Sequence, residues 1–437
     1  MYSVISEIAK YLMVLLMAGA TYYNFVYFKV KTTENKNKLC NKQAVIVFLI
    51  HTLAFLVMYL YTDDVQYLKL YICEILFFLI YTVIYMKIYP KASRLILNNI
   101  CLFLSIGFIM LARISLNRAV RQFIIVIISA AVTLIVPYII HKYRNIYEKY
   151  YAYAVMGIVV LTAVLLLGIT SYGAQLSFEI FGVSVQPLEF IKISFVIFCS
   201  SAFSENVKFI HVVKVTLIAA IHILILVLSR DLGSALIFFI SYVLMLFIST
   251  GSYLYLISGF GSGAAASVMS YKLFSHVRVR VDVWKDPWAD IYNKGYQITQ
   301  SLFAIGTGGI LGMGLFGGMP NRIPVAEKDF MFAVISEELG GIFALCLILL
   351  CLGLFLQILM ISVDCKTVIY KVMVFGLGIM YIVQVFLTIG GVTKFIPLTG
   401  VTLPFISYGG SSMLSMFIIF GIIQGVVLIN NKGDNNG

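Results

Sequence analysis

HVRVRVDVWKDPWADIYNKGYQ (276–297) and, downstream, NRIPVAEKDF (321–330) form a polar island that runs straight into the apolar MFAVISEELG (331–340). The chain around it is 61% hydrophobic and only 11% charged. Ionisable groups near lipid are costly unless paired, hydrated or functional, so the island marks where chemistry is to be sought. Outward from it, the chain alternates long apolar runs with short basic loops. Runs long enough to cross roughly 30 Å of hydrocarbon, at about 20 residues each, lie at 7–28, 44–61, 67–86, 97–115, 121–141, 152–171, 187–204, 208–229, 232–250, 253–272, 331–360, 367–391 and 402–430. These thirteen candidate spans predict an all-α polytopic membrane protein. SLFAIGTGGILGMGLFGG (301–318) is apolar but glycine-rich and reads as a half-inserted or surface segment.

A mean hydropathy of +1.00 excludes a soluble globule, whose apolar share is about 45–50%. The net charge of +12 points to the membrane and away from nucleic acid, because the basic residues crowd short loops in the positive-inside pattern. Lys29, Lys31, Lys36, Lys38 and Lys42 fill the first loop, Lys87, Lys91 and Arg94 the third, and Lys142, Arg144 and Lys149 the fifth. These loops are expected on the cytoplasmic side. Alternation then puts the N-terminus and segments 62–66, 116–120, 172–186, 273–330 and 392–401 outside, with the tail at 431–437 inside. The first span is expected to be retained, since its basic cluster follows the apolar run whereas a cleavable signal has one before it. The seven cysteines fall in spans or cytoplasmic loops, so no disulfide framework or metal motif is implied. A weak seam near residue 95 separates three spans without a recognisable motif, read as an accessory bundle, from a unit at 96–430.

Six constellations stand out. Arg230 and Asp231 sit at the mouth of a span, where they can neutralise each other, cap a helix or contact a substrate. Glu189 and Lys192 share a helix face just after Pro187 and can pair, either as a structural staple or, the favoured reading, as the lining of a polar cavity. His276, Arg278 and Arg280 alternate along an extended or interfacial segment and suit a phosphate. Trp284 and Trp288 read as interfacial anchors. Asp329 stands at the outer start of a long span with Glu327, Glu337 and Glu338 nearby. A helix dipole lowers a carboxyl pKa there, while burial and neighbouring carboxylates raise it toward the range useful to a general base. Last, PLTGVTLPFISYGGSS (397–412) is an irregular helix start, tolerated at membrane depth only where protein or a wet cavity satisfies it.

RDLGSAL (230–236), DPWAD (286–290) followed by GYQITQSLFAIGTGGILGMGL (295–315), EKDFMFAVISEELG (327–340) and TGVTLPFISYGGSS (399–412) occur in the order and register of the SEDS family of FtsW, RodA and SpoVE. The chain resembles that family from about residue 97 to 430. The resemblance implies a ten-helix core, here preceded by three extra spans, in the bacterial cytoplasmic membrane. It implies an inverting peptidoglycan glycosyltransferase that polymerises lipid II outside that membrane in division or cell-shape maintenance, beside a class B penicillin-binding protein and division or elongation proteins. It implies that Asp329 is catalytic. The substrate-binding set expected with it is Glu189, Lys192, Arg230, Asp231, Arg278, Arg280, Glu338, Ser407, Gly409, Gly410 and Ser411. A departing pyrophosphate needs a positive partner, which Arg278, Arg280, Lys192 or a divalent cation can supply. Two departures fall near this set. GAQLSF has Ser177 where the family usually has Trp, and QPLE has Leu188 for Ser. Two other readings stand beside the enzyme: a flippase for lipid-linked precursors, suited by the intramembrane pair, and an inactive scaffold for the penicillin-binding partner.

Overall fold

A computed structural model of the chain describes residues 2–142, 149–171, 174–180 and 183–433. Arg144, Gly173 and the last four residues of the tail lie outside the described residues. Six helices come first: α1 (Tyr2–Lys29), α2 (Thr33–Thr62), α3 (Val65–Ile88), α4 (Arg94–Ile114), α5 (Leu116–Lys142) and α6 (Tyr150–Leu167). A three-stranded antiparallel ribbon follows, β1 (Ile169–Ser171), β2 (Ala174–Ile180) and β3 (Val183–Val185). Then come α7 (Leu188–Glu205), α8 (Phe209–Leu228), α9 (Leu232–Thr250), α10 (Tyr253–Leu273), α11 (Ser275–Lys285), α12 (Tyr296–Gly308), α13 (Met331–Val363), α14 (Val368–Val392) and α15 (Gly410–Gly433). Among the described residues there are thirteen long helices, each overlapping one of the thirteen apolar runs, though α2 starts earlier and α15 later than its run; eleven of them are long and apolar enough to cross a membrane. The other two are α7, which carries Glu189, Lys192 and Glu205, and α10, diluted by SGFGSGAAAS. The ribbon was not anticipated. It fills the 172–186 connection, where FEI and VSV are too short to span and alternate as strands do.

All eighteen residues from Leu95 to Ala112 of α4 are buried. The three preceding helices do much of this, and they are tied in by polar contacts as well as apolar ones. Asn99 on α4 donates to Asn24 of α1 at 2.9 Å and accepts from Gln43 of α2 at 2.8 Å. His51 of α2 meets Ser105 of α4 at 2.9 Å and Glu74 of α3 at 3.0 Å, all three side chains fully buried. Without α1–α3, Asn99 and Ser105 would face lipid unpaired, a costly exposure. Deleting residues 1–90 is therefore expected to lower the thermal unfolding midpoint in detergent by several degrees at least. An unchanged midpoint would show that these contacts contribute nothing.

One kink sets the geometry of the polar island. Gly340 inside α13 has φ 90°, and a side chain there would strike the backbone of Leu311 and Gly312. The kink diverts the helix's own ladder. Gly341 N–H donates to the Gly309 carbonyl at 2.9 Å, while the freed Glu337 and Glu338 carbonyls accept from Met313 and Gly314, each at 2.9 Å. The glycine-rich stretch after α12 is thus bonded to α13 through its backbone, and this holds the start of α13 against the island. That is the physical use of the glycines read as a half-inserted segment.

Candidate active site

A cavity of about 410 Å³ opens at one end of the bundle, within the range of small-molecule sites. Its wall draws on β2, the start of α7, the α8–α9 turn, α11, α12, the 325–329 loop and the 391–402 segment. Loop alternation assigns these connections to one side, and they do meet at one end. Of the expected residues the cavity gathers Asp329, Glu189, Lys192, Arg230, Asp231 and Arg280. Ser177 and Leu188, the two departures from the family pattern, also line it.

Two carboxylates illustrate different uses of a helix start. Asp231 is a cap: its side chain accepts from Ser234 N–H at 3.0 Å. Burial nonetheless raises its pKa, against Ser234, Lys192 and Arg280. Asp329 is no cap. Phe330 occupies the cap position of α13, and Asp329 accepts no hydrogen bond among the described residues. Burial pushes its pKa up to about 6, with Glu327 adding to the rise and Lys328 and Arg280 opposing it. Desolvation therefore outweighs the neighbouring cations, and the carboxyl titrates above the usual carboxylate range. The loop bearing Asp329 is anchored by Glu327, which pairs with Arg118 at 2.7 Å and whose carbonyl accepts from Tyr408 N–H at 2.7 Å. Gly400, at φ 74°, faces the carboxylate; a side chain there would lie 3.7 Å from Asp329 Oδ2.

Glu189 and Lys192 form their pair at 2.9 Å, with the lysine side chain 1% exposed. Glu189 also accepts from Ser415 Oγ at 2.8 Å. Arg280 reaches the Thr399 carbonyl at 3.4 Å, and burial lowers its pKa against Asp231 and Asp329. The cavity wall carries the cations Lys192, Arg230, Arg280, Lys294, Lys328 and Lys394 against the carboxylates Glu189, Asp231 and Asp329. That excess of positive charge suits a polyanion. Among the described residues no three His, Cys, Asp or Glu side chains gather to ligate a metal. A divalent cation would have to take most of its ligands from substrate phosphates and water.

Several expected substrate contacts lie elsewhere. HVRVRV lies within the helix α11, so residues two apart diverge, and of His276, Arg278 and Arg280 only Arg280 lines the cavity. Arg278 turns back to the Lys272 carbonyl at 3.0 Å. Glu338 is fully buried in α13 and pairs with Arg113 at 2.8 Å, because the kink points this face into the bundle. Ser407, Gly409, Gly410 and Ser411 do not line the cavity; they build the irregular turn behind it. Ser407 Oγ accepts from Leu403 N–H, Gly409 N–H donates to Gln122, Gly410 begins α15, and Ser411 Oγ holds Gln186 N–H at 3.0 Å. Trp284, expected as an anchor, lines the cavity and donates to the Lys394 carbonyl at 3.1 Å. Missed were Lys294, Lys394, Ser415 and Gln384. For the last the signal was present: a lone amide inside an otherwise apolar helix.

A family model described as the cell cycle protein FtsW/RodA/SpoVE matches residues 93–432. The chain belongs to the FtsW/RodA/SpoVE family. It is 32% identical over 365 residues to the peptidoglycan glycosyltransferase RodA of Mycobacterium tuberculosis, covering 76% of this chain and 77% of that one. Its fold is similar to RodA of Thermus thermophilus, with TM-score 0.60 at 21% identity, covering 79% of this chain and 98% of that one. It is also similar to a chain of a peptidoglycan synthase complex that coordinates polymerization and crosslinking, with TM-score 0.65, 21% identity and coverage of 78% and 98%. The family match begins at the N-terminal end of α4, so α1–α3 precede it.

Proposed function

We propose that the chain is a peptidoglycan glycosyltransferase that polymerises lipid II at the outer face of the cytoplasmic membrane, with Asp329 as general base. The observation that carries this is a desolvated, uncapped carboxylate with a pKa of about 6 in a cavity rich in cations. The Asp329 carboxylate takes the proton of the acceptor's sugar 4-hydroxyl while that oxygen attacks the donor's anomeric carbon. The bond from that carbon to the pyrophosphate oxygen breaks, and the leaving group departs with the electron pair. Attack opposite the leaving group inverts the centre. Lys192 and Arg280, with Arg230 at the mouth, meet the charge that develops on the pyrophosphate. Residues 96–430 carry this chemistry, with α1–α3 as its support. A class B penicillin-binding protein beside the chain would cross-link the product, in keeping with the synthase complex to which the fold is similar. The test is direct: purified full-length protein, with and without that partner, is given lipid II and scored for glycan polymer. No polymer from a folded, partner-bound sample would overturn the reading.

The outward orientation has its own check. Asn293 and Asn117 are exposed in segments assigned outside, and Asn35 is exposed in the first turn of α2, within the lysine-rich segment assigned inside. Cysteines at the first two positions are expected to react with an impermeant thiol reagent in intact cells, and one at Asn35 is not. Labelling at Asn35 would reverse the orientation.

A further inference from the structure

Lys192 has three ammonium protons to place. One goes to Glu189 Oε1 at 2.9 Å and one to Gln384 Oε1 at 3.1 Å. No third acceptor meets it among the described residues, and Lys192 lines the cavity. Gln384 comes from α14, is fully buried, and lies outside every motif that marks the family resemblance. Its other end is committed too. Nε2 donates to the Thr402 carbonyl at 2.9 Å. One turn on, Thr388 Oγ1 donates to the Val401 carbonyl at 2.9 Å. The amide has one workable orientation, because an ammonium only donates and a carbonyl only accepts.

α14 therefore grips both the Lys192 ammonium and the 399–402 wall, whose Thr399 carbonyl in turn accepts from Arg280 at 3.4 Å. An ammonium on a four-carbon stem is a mobile point charge. Paired with Glu189 alone it could settle in several directions. With a second acceptor on the opposite element, its remaining proton is aimed.

We propose that Gln384 is a positioning residue: it directs the free proton of Lys192 into the cavity, toward a diphosphate oxygen, and holds that cation in register with the wall carrying Arg280's partner. This rests on the reading of Lys192 as a diphosphate contact. Glutamate in its place would still accept from Lys192, but it would oppose the Thr402 carbonyl with a second acceptor and add negative charge where a phosphate must bind.

The probe is undecaprenyl diphosphate, with its Kd measured on purified full-length protein for wild type, Lys192→Met, Gln384→Met and the double variant. Each single change is expected to weaken binding about tenfold or more, the scale of a hydrogen bond to a charged group. The double variant is expected within about twofold of Lys192→Met, because two residues acting through one ammonium are not additive. Gln384→Glu, isosteric with the native side chain, is expected to weaken binding too, measured on protein whose cooperative unfolding transition shows it folded, which covers the case of a misfolded Gln384→Met. Unchanged binding in Lys192→Met would overturn the diphosphate reading itself. A normal loss in Lys192→Met, combined with a full multiplicative loss in the double variant or none in Gln384→Glu, would overturn the positioning role alone.

Discussion

Asp329→Asn is expected to lower lipid II polymerisation by about 10²–10⁴-fold, the contribution of a positioned general base, while membrane insertion and the unfolding midpoint stay near wild type. The substitution keeps shape and removes only the proton acceptor. Folding should tolerate it, since Asp329 accepts no hydrogen bond among the described residues and is not the cap of α13. The wild-type enzyme is expected to show a matching acid limb. Only the ionised carboxylate accepts a proton, so kcat/KM should fall as pH drops through about 6, where burial places this group. Asp329→Glu should move that limb or reduce the rate, whereas a flat profile from pH 5 to 8 would remove Asp329 from the proton transfer. Near-normal polymerisation by the Asn variant would do the same.

Charge reversal at the buried pair is expected to have the next largest effect. Glu189→Lys or Lys192→Glu leaves two like charges in a site where the native side chains are 10% and 1% exposed. Breaking a buried pair costs about 3–5 kcal/mol, enough to cripple folding or activity. The double swap is expected to recover little, and the surrounding bonds give the reason. Lys192 also donates to Gln384 Oε1, and Glu189 also accepts from Ser415. A carboxylate at position 192 would face an acceptor unless the amide turned, and turning it would set Oε1 against the Thr402 carbonyl. Polymer yield and unfolding midpoints of the two singles and the swap decide the matter. Full activity in either single would mean that the two side chains are neither paired nor in the site, and full recovery in the swap would mean that pairing is their whole role.

Which expected contacts held their place depended on how far each side chain's direction follows from local sequence. Arg278 and Arg280 look equivalent in HVRVRV only if the segment is extended; as a helix it sends one into the cavity and the other back to the Lys272 carbonyl. Glu338 stands one residue after Glu337 in an apolar run, and nothing local foretells that its partner is Arg113, 225 positions earlier. Ser407 and Ser411 were read from a broken helix start that does exist, yet the break serves the wall from behind.

What the sequence alone determined is whatever a single segment enforces: the number and approximate positions of the long helices, the membrane class, and Asp329 and the Glu189–Lys192 pair as the residues of interest. Each follows from the cost of placing charge or unpaired backbone in hydrocarbon, a cost that every span meets by itself. Only the tertiary structure decided that α4 is buried by the three helices before it, that Gln384 and Ser415 complete the buried pair, and that Asp329 rather than Asp231 is free of a capping bond. Those outcomes depend on which side chains from distant helices come within 3 Å or so of one another, and contact between segments far apart in the chain leaves no periodic trace in either segment.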